Sequence, residues 1–143
     1  MGGNVQVAIA AHLQGQGWTV HRQADTASRE GGADIVAARD DEMLVVEVKR
    51  FPSQVYARGA MAGSPKPTQP ATQARVWFSG CLLSGMLLRS NYPRAAILLA
   101  FPDFTTYRGL VARVEPSLAK LGFGVVLVNK SGGVEEMLSP ENA

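Results

Sequence analysis

The sequence predicts a mixed α/β domain with a central sheet flanked by helices. Two nearly uninterrupted apolar runs, residues 33–38 and 43–48, indicate strands covered on both faces. A short polar turn joins them, and the segments that follow alternate between helix and strand lengths. With 143 residues, the chain is expected to form one domain over residues 1–138, with a frayed tail at 139–143.

The elements are expected in the order helix, three strands, helix, strand, helix, strand. Apolar spacing and breaker residues give their bounds: helix 4–14, strands 18–20, 33–38 and 43–48, helix 71–90, strand 95–101, helix 105–121 and strand 123–128. Asn4 is the expected N-cap of the first helix, and Pro116 predicts a kink or restart in the helix 105–121. Residues 53–70 hold three prolines and two glycines, which predicts a long mobile loop.

The register of the central hairpin follows from its turn. A two-residue turn after Arg39 pairs that residue with Glu42. The same register places Asp34 opposite Glu47, and directly opposed side chains share one face of a sheet. Lys49 lies two residues beyond Glu47 and therefore projects to that face as well. Three ionisable groups are expected to converge there.

Two carboxylates close together in a poorly solvated site disfavour each other's ionised form unless a cation lies between them. Oxygen ligands of this kind suit Mg²⁺ or Mn²⁺. Lys49 could then hold the attacking water or hydroxide, or neutralise charge that develops on a phosphodiester. The pattern predicts metal-assisted phosphodiester hydrolysis. The alternative is a surface aspartate and a Glu–Lys pair on a strand edge.

The spacing from Asp34 through twelve residues to Glu47-Val48-Lys49 resembles the signature of the PD-(D/E)xK nuclease superfamily. The Gly-Gly-Ala-Asp-Ile-Val and Val-Glu-Val-Lys stretches look most like the small Mrr-like and Holliday-junction-resolvase-like members. This resemblance implies a restriction-endonuclease-like αβββαβ core with an added C-terminal helix and strand. It also implies that Asp34, Glu47 and the main-chain carbonyl of Val48 bind the metal and that Lys49 positions or activates water.

In the families that the chain resembles, a glutamate of the first helix often joins the metal site. Leu13, Gly17 and Trp18 match the stretch that locates this position, and the counterpart here is Gln6. Glutamine can offer a neutral oxygen to a metal or orient a water, so Gln6 is a catalytic candidate. The alternative is a solvent-facing helix residue.

Charge is unevenly distributed along the chain. Residues 48–113 carry nine basic residues and one acid, whereas the remainder carries five basic residues and eleven acids. A polyanion-binding surface requires such segregation. The expected contacts to DNA come from Arg50, Arg58 and Lys66 in the loop, and from Gln73 and Arg75 in the helix after it. Gln73 also resembles the first residue of the Gln-x-x-x-Tyr element of exonuclease-type relatives, with Trp77 in place of the tyrosine. The alternative is a set of solvated, arginine-rich helix faces.

The helix 71–90 is apolar on nearly every side, which predicts that it is buried. Any face that the domain itself does not cover is expected to form a homodimer interface. Cys81 within it is expected to be a buried structural thiol. No apolar run is long enough to span a bilayer and no signal pattern appears, so a cytoplasmic location without a membrane is expected.

Together these features predict a metal-dependent nuclease acting on DNA in defence, repair or recombination, alone or in a larger nuclease complex. The alternative is a catalytically weak or inactive nuclease-fold module that binds nucleic acid or assembles with a partner. A junction resolvase, acting as a dimer, is a third hypothesis.

Overall fold

The computed structural model describes residues 3–23, 32–49 and 70–141. Within these ranges the elements are α1 (Gly3–Gly15), β1 (Thr19–Gln23), β2 (Ile35–Arg39), β3 (Glu42–Val48), α2 (Pro70–Asn91), β4 (Ala96–Pro102), α3 (Thr105–Leu121), β5 (Phe123–Val128) and β6 (Val134–Leu138). This order confirms the predicted mixed α/β class and the αβββαβ succession with a helix and strand after it. The bounds of α3 and β5 agree with the predicted ones.

The six strands form one sheet in sequence order, β1 to β6. The β3–β4 and β4–β5 pairs in the middle are parallel, and the pairs toward both edges are antiparallel. Each parallel pair is connected by a helix, α2 or α3, as parallel pairing requires. Both helices cover the same face of the sheet, here called the α2–α3 face. The shorter α1 covers the opposite face, the α1 face.

The apolar core is divided between these two faces. On the α2–α3 face, Phe101 stacks on Phe78 with ring centroids 5.0 Å apart, and Tyr107 tilts against Phe101 at 5.1 Å. On the α1 face, Ile9 and Leu13 of the helix pack on aliphatic side chains from β2 to β5. Because both faces are covered, β4 and β5 are buried at every residue, which explains why their sequences show no polar alternation.

The hairpin register agrees with the prediction. Arg39 pairs with Glu42 and Ile35 pairs with Val46, and the turn uses Asp40 in a left-handed conformation with φ of 54°. The ladder ends at Ile35, however. The N–H of Asp34 donates to the carbonyl of Val46 at 3.0 Å, one residue away from the register. Asp34 and Glu47 are therefore not a ladder pair, and this part of the prediction is wrong.

The sheet contains an edge strand, β6, that the sequence analysis missed. The turn before it is closed by Asn129, whose side-chain oxygen accepts hydrogen bonds from the N–H groups of Ser131 and Gly133, both at 2.9 Å. Such an Asx turn reverses the chain and lets β6 pair with β5. The segment escaped prediction because an edge strand with Glu135 and Glu136 side by side lacks the apolar signature of the inner strands.

The residues after β6 also make defined contacts. The N–H of Glu141 donates to the carbonyl of Gly122 at 3.1 Å. Pro140 lies against Gly124, where an added Cβ would come within 2.5 Å of the proline ring. Residues 139–141, which were predicted to belong to a frayed tail, are therefore held against the sheet. Residues 142–143 lie outside the described residues.

The helices differ from prediction in three respects. α1 begins at Gly3, so Asn4 lies inside the helix and is not its N-cap. α3 runs through Pro116 without a break. α2 is not buried all round: its outer side exposes Val76, Leu83, Met86 and Leu87. The predicted loop 53–70 lies outside the described residues except at Pro70, where α2 begins. Among the described helices, none combines the length and hydropathy needed to cross a membrane.

Candidate active site

The site residues predicted from the hairpin lie where β3 ends. β3 and β4 are parallel, so their C-terminal ends share an edge of the sheet, and such edges are common ligand sites in α/β folds. The N–H of Lys49 continues the parallel ladder by donating to the carbonyl of Ala100 at 2.8 Å. β2 runs in the opposite direction, so the residue preceding it, Asp34, reaches the same edge.

Asp34 links β2 to β3 through its side chain. Its Oδ2 accepts a hydrogen bond from the N–H of Val48 at 2.8 Å. The N–H groups of a strand alternate between its two neighbours. Lys49 donates toward β4 and Val48 therefore donates toward β2, where the ladder has already ended. The carboxylate takes the place of the missing strand, and this fixes its position at the end of β3.

Gln6 comes to the same place from the α1 face. Its Nε2 donates to the main-chain carbonyl of Asp34 at 3.3 Å. The structure thus brings Gln6 next to a predicted catalytic residue, and the solvent-facing alternative is wrong. The contact is to the backbone of Asp34, so its direct effect is on the conformation of the chain that carries the carboxylate.

Glu47 and Lys49 form an ion pair at the edge of the α2–α3 face. Lys49 Nζ lies 3.5 Å from Glu47 Oε2, and their side chains are 25% and 1% exposed, respectively. Residues two apart in a strand share a face, so this proximity follows directly from the Glu-Val-Lys order. A carboxylate this deeply buried is costly without a compensating cation. The lysine supplies the cation and keeps part of its side chain in contact with solvent.

The Cys81 side chain of α2 is buried close to this pair. Burial raises the pKa of the Cys81 thiol above its ordinary range, and the nearby negative charge of Glu47 raises it further. This confirms the predicted structural thiol and places α2 over the acid–lysine pair. Gln73, another residue of α2 and one of the predicted nucleic-acid contacts, is also buried, with only 7% of its surface exposed. Trp77 packs against the same core.

The donor set suits a hard divalent cation. Within the described residues no group of three or more His, Cys, Asp or Glu side chains forms a metal cluster. Mg²⁺ sites do not require one, because this ion binds through one or two carboxylates and keeps several waters. Asp34 and Glu47 are the available carboxylates. The carbonyl of Val48 points to the same side as its N–H, toward Asp34, because both groups of a strand residue face one neighbour.

A second charged cluster lies near the end of β4 and the beginning of β6. It includes Arg108, one of the nine basic residues of the segment 48–113. The Arg108 guanidinium donates to both oxygens of Asp103, at 3.0 and 3.2 Å, and to both oxygens of Glu135, at 2.8 and 3.3 Å. Its hydrogen bonds lower the pKa of the Glu135 carboxyl. Because two carboxylates surround one cation, Arg108 adds no net positive charge to the surface. The sequence signal for this cluster is the basic residue five positions after Asp103.

Of the remaining predicted nucleic-acid contacts, one lies within the described residues and three lie outside them. Arg75 is exposed on α2, two residues from the buried Gln73. Arg50, Arg58 and Lys66 lie outside the described residues. Residues 24–31, which precede β2, also lie outside them, so that only the second glycine of the Gly-Gly pair, Gly32, is described. His12 is half-buried and His21 is exposed.

Comparisons with known proteins identify relatives in fold only. No family model matches the chain, and no curated protein matches it. Among solved structures, an XisH family protein from Nostoc punctiforme superposes with a TM-score of 0.58 and 19% identity, covering 95% of this chain and 99% of that one. A fdxN element excision controlling factor protein from Anabaena variabilis gives a TM-score of 0.57 and 18% identity, over 94% and 98% of the two chains. The likeness extends over nearly the whole of each chain and concerns the fold.

Proposed function

We propose that this protein is a metal-dependent nuclease that hydrolyses phosphodiester bonds, with DNA as its substrate. The observation that carries the proposal is the placement of Asp34, Glu47 and Lys49 at one end of β3. Two carboxylates and a lysine lie together where the apolar run of β3 ends, and a purely structural role does not require three ionisable groups there.

Each residue has a distinct task in this proposal. Asp34 and Glu47 would hold Mg²⁺ or Mn²⁺ together with the Val48 carbonyl, and the bound metal would supply Lewis-acid stabilisation of a phosphodiester oxygen. Lys49 orients the attacking water and offsets negative charge on the phosphate as attack proceeds. Val48 and Gln6 act on position: the Val48 N–H fixes the Asp34 carboxylate, and the Gln6 amide fixes the Asp34 backbone.

The surface charge favours a polyanionic substrate. Arg75 lies exposed on α2, and the sequence after Lys49 continues with the basic residues Arg50, Arg58 and Lys66. Phosphate contacts of this type make binding fall steeply as salt rises. The name of one structural neighbour, a fdxN element excision controlling factor, is compatible with a role on nucleic acid.

The test is cleavage of supercoiled, single-stranded and branched DNA by the purified chain in Mg²⁺, in Mn²⁺ and in chelator. Three variants run in parallel: Asp34→Asn and Lys49→Ala, which remove proposed catalytic groups, and Lys120→Ala, a matched control on the exposed side of α3. We expect metal-dependent cutting by the wild type and the control, and at least a 100-fold loss in the other two. Equal cutting by Lys49→Ala and Lys120→Ala, or no cutting of any substrate, would overturn the proposal.

The second candidate is a nuclease-fold module that assembles with a partner or with itself. The apolar outer side of α2 favours it, because four of the seven large hydrophobic residues that are more than a third exposed in the described chain lie on this helix. Solution mass measurement distinguishes the cases. A dimer that Leu83→Gln converts to a monomer would support self-association through α2, whereas a monomer at all concentrations would exclude it.

A further inference from the structure

A cavity of about 420 Å³ lies on the α1 face, at the opposite edge of the sheet from the candidate active site. Leu44, Ala96, Leu98 and Val126 form its floor. Leu44 and Ala96 stand at the beginnings of β3 and β4, whereas the proposed catalytic residues stand at the end of β3. The volume falls within the range of small-molecule sites. We call this cavity the Trp18 cleft.

One wall of the Trp18 cleft is built by Trp18 and Arg39. The Arg39 guanidinium lies 4.4 Å from the centre of the Trp18 ring. Its Nη1 donates to the carbonyl of Gln16 at 3.0 Å, and its Nη2 lies 3.7 Å from Glu42 Oε1. The aromatic face, the carbonyl and the carboxylate each stabilise the cation. The positive charge of Arg39 is therefore largely compensated within the protein, and its side chain is held in one position.

The other wall carries the opposite charge. Glu136 and Pro140 line it, and His12 closes the cleft from α1. The Glu136 carboxylate accepts one hydrogen bond, from Ser139 Oγ at 3.0 Å. No cation of the described chain lies within ion-pair distance of it. The cleft holds two carboxylates, Glu42 and Glu136, and one guanidinium, Arg39.

We propose that the Trp18 cleft binds a small organic cation, an amine or amidinium carried on an apolar body. The apolar body would lie on the Leu44, Leu98 and Val126 floor beside the Trp18 ring, and the cationic group would pair with Glu136. An uncharged ligand would gain nothing from the exposed Glu136 carboxylate, and an anion would meet its repulsion. The proposal does not depend on the nuclease activity, because the cleft shares no residue with the candidate active site.

The test uses Trp18 itself as the reporter. The chain has two tryptophans, so Trp77→Phe leaves Trp18 as the single emitter, and circular dichroism checks that this variant is folded. Three probes of similar size are titrated: 2-phenylethylamine, 2-phenylethanol and 3-phenylpropanoate. We expect a saturable change of Trp18 emission with the amine and at least tenfold weaker binding of the alcohol and the carboxylate.

Glu136→Gln and Glu135→Gln form the matched pair of variants in the same background. Neighbouring strand residues face opposite sides of a sheet, so Glu136 lines the cleft while Glu135 contacts Arg108. Loss of the Glu136 charge should weaken amine binding about tenfold, and loss of the Glu135 charge should leave it within twofold. Equal binding of the three probes, preference for the carboxylate, absence of saturation, or an unaffected Glu136→Gln variant would each overturn the proposal.

Discussion

The Asp34 carboxylate accepts a hydrogen bond from the main-chain N–H of Val48, fourteen residues later, with 2.8 Å between Oδ2 and the nitrogen. This hydrogen bond links the beginning of β2 to the end of β3 at the point where the backbone ladder has stopped. The residue proposed to bind metal is thus also part of the hairpin's structure. Effects of its substitution on cleavage and on stability must therefore be measured separately.

Asp34→Ala should lower the free energy of unfolding by about 1–3 kcal/mol, because the half-buried Val48 N–H loses its hydrogen-bond acceptor. Asp34→Asn retains an oxygen that can accept this hydrogen bond and should lose less than half as much. Urea unfolding in chelator measures both. Asp41→Ala, in the exposed hairpin turn, is the control and should change stability little. If Asp34→Ala proved as stable as this control, the structural role of the hydrogen bond would be refuted.

Lys49→Ala should also destabilise the metal-free protein, by about 1–3 kcal/mol, because the buried Glu47 carboxylate loses the Lys49 cation. The double variant Glu47→Gln/Lys49→Ala removes both charges and should recover part of the loss. The comparison is made by urea unfolding at neutral pH. Additive losses in the double variant would show that the two groups do not interact.

Gly124→Ala should be poorly tolerated, because its Cβ would come within 2.5 Å of Pro140 Cδ and 2.6 Å of the Pro140 nitrogen. Residues 139–141 would have to move off the sheet, with a loss of about 1–3 kcal/mol. Gly109→Ala is the matched control, because no atom lies within 4 Å of the added group in α3. That substitution should raise stability by about 0.5–1 kcal/mol, since alanine favours the helix. Equal melting temperatures for the two variants would contradict this account.

The Arg108 cluster predicts that the stability of the folded protein depends on pH. Arg108 lowers the pKa of the Glu135 carboxyl in the folded protein. This contribution to stability is present above the pKa of an unfolded glutamate, about 4.3, and is lost as the pH falls through the lower folded value. Arg108→Met should therefore flatten the acid side of the stability profile. Chemical denaturation between pH 3 and pH 7 gives both profiles, and parallel curves would argue against the cluster.

The Cys81 thiol should resist modification in the folded state. Burial is the main cause that raises its pKa, so thiolate is scarce at neutral pH and the sulfur is inaccessible. A thiol reagent added at pH 8 should react at least 100-fold more slowly with native protein than with urea-unfolded protein. Comparable rates would show that α2 opens readily from the sheet.

Much of the fold was available from the sequence because inner elements carry strong local signals. Apolar spacing predicted the strands β4 and β5, and both are buried at every residue. The Asp-Asp turn fixed the hairpin register, and the two-residue spacing of Glu47 and Lys49 placed them on one face, where they form an ion pair. Each of these features depends on residues close together in the chain, through the period of a strand or the length of a turn.

The tertiary structure decided what depends on residues far apart. The strand β6 and the held segment 139–141 have weak local signals and are stabilised by pairing with β5 and by the Gly122 carbonyl. The shift in register that brings the Asp34 carboxylate to the Val48 N–H, and the neutralisation of Arg108 by Asp103 and Glu135, could not be read from the sequence. The Trp18 cleft brings together α1, five strands and the chain after β6. Such arrangements form only when the packed elements fix distances between side chains, and the sequence pattern of a single element carries no information about those distances.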